Sequence, residues 1–183
     1  MKNVLIVSGH PELKDNSFAN KIIMEDLEKL LPEATFDYLD RLYPDYKINV
    51  PAEQAKLVAA DIIVLQYPTF WYSMPALLAK WMEDVFVHGF SHGSKGKALV
   101  GKKLVLSFTT GAPAEAYADP FPLETMTTRF VQTAALTGMD YKGYVATCAV
   151  SYADRASAER IAEMTAAAHD HAKRLVEKIK ALA

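Results

Sequence analysis

Asn3-Val4-Leu5-Ile6-Val7-Ser8 is a short, near-continuous apolar run, and Asp61-Ile62-Ile63-Val64-Leu65-Gln66-Tyr67 repeats the pattern until Pro68 halts it. Neither run alternates apolar with polar residues, as a half-exposed strand would. Each reads as a strand buried on both faces, so helices must cover both sides of the sheet. The intervening residues supply the first of those helices. Ser17 to Leu31 carries Phe18, Ile22, Ile23, Leu27, Leu30 and Leu31 at helical spacing, with Asn16 or Ser17 expected as cap and Pro32 just beyond. Thr35 to Leu39 is a further short strand, and the polar and aromatic stretch Asp40 to Pro51 is read as a loop before a short helix to Ala60.

Downstream the alternation continues. Ala76 to Phe86 gathers Leu77, Leu78, Trp81, Val85 and Phe86 on one side of a helix. A loop from His88 to Lys103 leads into a strand at Leu104 to Phe108. A helix over Leu123 to Thr137 is stopped by Gly138, a residue suited to the left-handed cap. Tyr144 to Val150 is the last expected strand and Asp154 to Leu182 the last helix. Strands alternating with helices define an α/β protein with a parallel sheet. Five strands and five helices in 183 residues predict a single flavodoxin-like domain. The sheet is doubly wound, in order 2-1-3-4-5, with helices on both faces.

The composition supports a packed chain, at 51% apolar and 23% charged residues. A net charge of −2 gives no basic field for nucleic acid, nor the strongly acidic docking face of a one-electron carrier. The apolar stretch from Ala59 to Met82 is broken by Asp61, Gln66, Pro68 and Pro75, so no membrane span is expected. The leading apolar run is too short for a secretory signal. The single cysteine, Cys148, is expected as an inert thiol in a buried strand. Together these features favour a cytoplasmic location.

Open parallel sheets bind ligands beyond the carboxyl ends of their strands, which directs attention to three segments. The first runs from Gly9-His10-Pro11 to Ser17-Phe18-Ala19-Asn20 and opens a helix, whose free N–H groups and dipole attract phosphate. The second is Pro68-Thr69-Phe70-Trp71-Tyr72-Ser73-Met74-Pro75. Its three consecutive aromatics cannot all enter the core, so they suit a planar conjugated ligand, or else a plug or subunit contact. The third is Thr109-Thr110-Gly111-Ala112-Pro113, with Tyr117 soon after. Gly111 permits close approach of a ligand, and the adjoining N–H groups could stabilise negative charge on it.

These segments, together with Ala76-Leu77-Leu78-Ala79-Lys80-Trp81 and Val85-Phe86, resemble the NAD(P)H:quinone oxidoreductase family over nearly the whole chain. That family includes DT-diaphorase, the bacterial modulators of drug activity and the ancillary reductases of glutathione-gated potassium-efflux systems. The resemblance implies a homodimer with a bound flavin, FMN in preference to FAD because the chain is short, with FAD left open, and a two-electron, ping-pong transfer from NADPH or NADH to a quinone or similar electrophile. By matching position it implies that His10, Ser17, Phe18 and Asn20 hold the flavin phosphate. Pro68, Thr69, Phe70, Trp71 and Tyr72 would hold the ring, Thr110 and Gly111 its pyrimidine end, and Tyr117 would stabilise charge in catalysis. It also admits a flavin-binding regulatory subunit of a membrane transporter, and a flavodoxin-type carrier is a further alternative. Two departures stand out: Ala112 replaces a common second glycine, and no histidine follows Tyr117 before His169.

Other motifs point elsewhere and fail on context. Gly96 to Lys102 fits the start of a nucleotide phosphate loop, but Lys103 replaces the required hydroxyl residue and a strand follows. Gly89-Phe90-Ser91-His92-Gly93 spells a nucleophile elbow after a helix rather than a strand. His169 and His171, two apart on a helix, point different ways and read as a solvated face rather than a metal site.

Overall fold

The computed structural model describes residues 2–182. In chain order, β1 (Val4–Ser8) leads through a single turn α1 (Leu13–Asn16) into α2 (Ala19–Leu30) and β2 (Thr35–Tyr38). The short α3 (Leu39–Leu42) and α4 (Val50–Ala59) follow, then β3 (Ile62–Pro68), α5 (Ala76–Val85) and β4 (Lys103–Thr109). The chain closes with α6 (Leu123–Thr137), β5 (Asp140–Thr147) and α7 (Ala158–Leu182). All strand pairs are parallel and their spatial order is β2-β1-β3-β4-β5, as the alternation predicts.

Successive side chains of the central strands point to opposite faces, and each face has its own core. Leu5, Val7, Ile63, Leu65, Leu104 and Leu106 pack with Trp81, Phe108 and Phe130 under α5 and α6. Val4, Ile6, Ile62, Val64 and Val105 pack with Ile23, Leu27, Leu175 and Ile179 under α2 and α7. This is why β1 and β3 read as continuous apolar runs. Gly9, at the exit of β1, lets α5 come close: a Cβ there would stand 2.7 Å from Leu78 Cδ2.

Buried polar groups brace the layers. Glu53 of α4 accepts from Trp81 Nε1 at 2.8 Å, the Tyr43 hydroxyl at 2.6 Å and Lys56 Nζ at 2.6 Å. Lys56 also binds Asp37 of β2, whose carboxyl is pushed up to about 7 chiefly by burial. On the opposite side His171 of α7 is fully buried, with Nε2 2.8 Å from Ser107 Oγ and Nδ1 2.8 Å from Thr147 Oγ1. The expected solvated face therefore holds only for His169, which is partly exposed and pairs with Asp26.

Several boundaries move. The first long helix begins at Ala19 rather than Ser17, because 13–16 forms a turn of its own. Neither Asn16 nor Ser17 is its N-cap; that position is Phe18. The region read as a loop from Asp40 contains α3. The last strand lies at Asp140–Thr147, not 144–150, and the last helix starts at Ala158 after a 3-10 turn, Ala153–Ala156. β5 is an edge strand with an irregular register opposite Leu104/Leu106 and a positive-φ Gly143, so its apolar pattern begins late. Cys148 consequently lies just past the strand and is partly exposed. Among the described residues, no helix is long and apolar enough to cross a membrane.

Candidate functional site

The strand ends open into one cavity of about 410 Å³. His10, Ser17, Phe18 and Asn20 line one side, Pro68, Thr69 and Phe70 a second, and Gly111 a third. Three segments spread over about a hundred residues of sequence, from His10 to Gly111, thus meet on one rim.

His10 is only 5% exposed. The Glu12 backbone N–H donates to its Nδ1 at 3.0 Å, which places the ring proton on Nε2. Burial lowers the His10 pKa to about 4; Asp40 and Glu12 oppose that shift and Arg155 adds to it. The ring is therefore neutral at pH 7. Its Nε2–H has no acceptor among the described residues, and the ring stands edge-on to Phe70 with centroids 6.3 Å apart.

The N-terminus of α2 completes this side. Its first turn has no acidic residue and its N-cap forms no side-chain hydrogen bond, and the N–H groups of Phe18, Ala19 and Asn20 have no acceptor among the described residues. Ser17 Oγ turns inward to accept from Lys21 N at 3.2 Å. Such an end favours an anion.

The floor is a buried amide network. Asn20 Oδ1 accepts from Gln66 Nε2 at 2.6 Å, and Asn20 Nδ2 donates to Thr109 Oγ1 at 3.0 Å. One side chain of α2 thereby ties the ends of β3 and β4 together. At Gly111 a Cβ would meet nothing nearer than Val150 O at 4.0 Å, so the missing side chain leaves space in the cavity.

The aromatic segment is a tight turn. Phe70 and Ser73 exchange backbone bonds of 2.9 and 3.0 Å across Trp71 and Tyr72. Both central residues have positive φ, 49° and 62°. Trp71 is 93% exposed and Tyr72 71%, so neither lines the cavity that Phe70 faces. Tyr72 instead joins Tyr117, Phe121 and Met126 around a second, more apolar cavity of about 420 Å³. Thr110 is buried outside both: its Oγ1 donates to Ala112 O at 3.0 Å and its N–H to Thr147 O.

Sequence reasoning missed the fourth side of the first cavity, formed by Val150, Tyr152 and Arg155 beyond β5. The strand-end rule that found the other three segments also covers the fifth strand. Read at the first, third and fourth strands alone, the rule leaves this segment out.

This is a doubly wound α/β protein with its pocket where the strand order reverses. The sequence pattern of a family described as having a flavodoxin-like fold matches residues 2–172. General stress protein 14 of Bacillus subtilis (strain 168) is 37% identical over 168 residues, 87% of this chain and 95% of that protein. The glutathione-regulated potassium-efflux system ancillary protein KefF of Enterobacter sp. (strain 638) is 42% identical over 116 residues, 63% of this chain and 64% of that one. Among solved structures, general stress protein 14 of Treponema denticola in complex with FMN superposes with a TM-score of 0.82 at 28% identity, covering 97% of this chain and 99% of that chain. An NADPH-quinone reductase from P. pentosaceus gives 0.74 at 27% identity, with 94% and 98% covered. The chain belongs to this flavodoxin-like family, in line with the quinone-reductase resemblance of its motifs.

Proposed function

We propose that the chain is an FMN-dependent oxidoreductase that takes hydride from NADPH or NADH and reduces a quinone or similar electrophile. Its relatives support the general class of flavin oxidoreductase. The observation that carries the reading is the meeting of His10, Phe70 and Gly111 on one cavity.

The residues present fit the flavin. A phosphate needs several donors at the helix end; the α2 N-terminus, whose first turn holds no acidic residue, and the neutral His10 Nε2–H provide them. A flat ring needs an apolar face and a close backbone approach, which Phe70 with Pro68 and the open space at Gly111 offer. FMN, once bound, supplies the two-electron hydride chemistry. The chain's part is to fix the ring, exclude water and hold donors toward developing charge. Tyr117 offers such an O–H in the second cavity, beside Tyr72, where the acceptor would lie. The exposed Trp71 and Phe121 suit a homodimer contact.

A second reading, a regulatory subunit on a membrane transporter, is favoured by the similarity to the efflux-system ancillary proteins. Pull-down of a transporter by a chain with poor quinone turnover would support it.

The test is direct. The purified chain is expected to quench FMN fluorescence on titration and to oxidise NADPH or NADH when benzoquinone is added. Failure to take up flavin would refute the proposal. Tyr117→Phe is expected to lower quinone turnover with FMN affinity unchanged, and equal turnover would remove Tyr117 from the mechanism.

A further inference from the structure

We propose that Arg155 is the counter-charge for the flavin's terminal phosphate and makes the cavity selective for phosphorylated flavin, an inference that rests on the flavin reading above. The assignment starts from what the other arginines of this region do. Arg160 is paired with Asp154 and Glu163, and Arg174 with Asp170. Arg155 forms no ion pair among the described residues, although it lines the cavity. Its guanidinium carbon lies 4.3 Å from the centre of the Tyr152 ring, which supports the flat group from one face and leaves its edge free. Among the described residues it makes one hydrogen bond, from Nη2 to Asn16 O at 3.3 Å.

That single bond fixes the position. Asn16 immediately precedes Ser17-Phe18-Ala19-Asn20, so Arg155 leans from the β5–α7 connection across the open N-terminus of α2. On the far side His10, nine-tenths buried, offers an Nε2–H that no described residue accepts. Helix end, imidazole and guanidinium surround one volume.

Charge balance argues the same way. Glu12 is the other charged residue on this cavity, and its carboxylate accepts from Asn16 Nδ2 at 3.0 Å. With Glu12 alone the wall would repel a phosphomonoester dianion. Arg155 offsets that charge and adds N–H donors whose geometry matches phosphate oxygens. A flavin without phosphate gains nothing from it.

The experiment is fluorescence titration of the flavin-free chain with FMN and, separately, riboflavin. Arg155→Gln is expected to weaken FMN about tenfold and riboflavin by about twofold or less, since only the charged ligand loses a charge-assisted bond. Arg155→Lys, which keeps the charge, is expected to recover the greater part of the FMN loss, and rising salt should weaken FMN more in the wild type than in Arg155→Gln. Equal losses for both flavins would make Arg155 a mere brace for the 150–155 segment and overturn the proposal, as would unchanged FMN affinity. A wild-type chain that binds neither flavin would instead refute the flavin reading itself.

Discussion

Asn20→Ala removes the amide that joins α2 to the ends of β3 and β4. Asn20 is almost fully buried and holds Gln66 Nε2 at 2.6 Å and Thr109 Oγ1 at 3.0 Å. Gln66 is already short of one partner, because its Oε1 has none among the described residues. Truncation strands the Gln66 amide and leaves Thr109 unpaired. Each stranded buried group costs about 1–3 kcal/mol, so the total is roughly 2–4 kcal/mol once partial relaxation is allowed. At about 2–4 °C per kcal/mol for a chain of this size, the melting temperature should fall roughly 4–16 °C. Thermal melts by circular dichroism of Asn20→Ala, Thr109→Val and the double variant provide the assay. The double variant is expected to lose less than the two single losses added, since both remove one shared bond. A melt for Asn20→Ala within about 1 °C of the wild type, or strict additivity, would refute the brace.

His171 gives stability a pH dependence: burial lowers its pKa from 6.5 to about 3. The unfolded chain takes up a proton below about 6.5 that the folded chain refuses, so stability falls as pH drops from about 6.5 toward 3, by about 2 kcal/mol at pH 5. Urea unfolding at a series of pH values should show this slope flattened in His171→Gln. Gly9 and Gly111 should part company. Gly9→Ala meets Leu78 at 2.7 Å and is expected to destabilise by about 1–3 kcal/mol. Gly111→Ala has room in the fold, so it should melt like the wild type yet bind FMN more weakly, as paired melts and fluorescence titrations would show. Replacing Trp71-Tyr72 by Asn-Gly should raise the melting temperature of the flavin-free chain while depressing quinone turnover; a lower melting temperature would contradict the strain at that turn.

The layers were legible because β1, β3 and β4 are central and buried on both faces, which leaves an uninterrupted apolar signature. β5 was misplaced because it lies at the sheet's edge, where Tyr141 and Tyr144 are only half buried and Gly143 breaks the pattern. Arg155 escaped for a different reason, because the switch point directs the strand-end rule to β1, β3 and β4 and not to the edge strand. His171 was misread for a related reason: helical spacing shows that two histidines diverge, but not which of them meets Ser107 across the sheet. The site's three main segments were found through strand ends, a rule of topology. That the Thr110 hydroxyl turns back to Ala112 O is a rotamer choice with no signature in sequence.

The aromatic turn shows why such a site departs from what the fold alone prefers. A two-residue turn with positive φ at both centres ordinarily takes Asn-Gly, because side chains with a Cβ are strained there by about 1–2 kcal/mol each. Here those places hold Trp71 and Tyr72, and neither recovers the cost by burial within the chain. The turn persists because the Phe70–Ser73 bonds close it, Arg129 Nη1 holds Ser73 Oγ at 3.0 Å, and Pro68 and Pro75 restrict both flanks. Four independent restraints thus maintain a conformation that displays two large rings to solvent. Stability of the isolated chain does not account for that display; contact with a ligand or a second subunit would, by covering the rings.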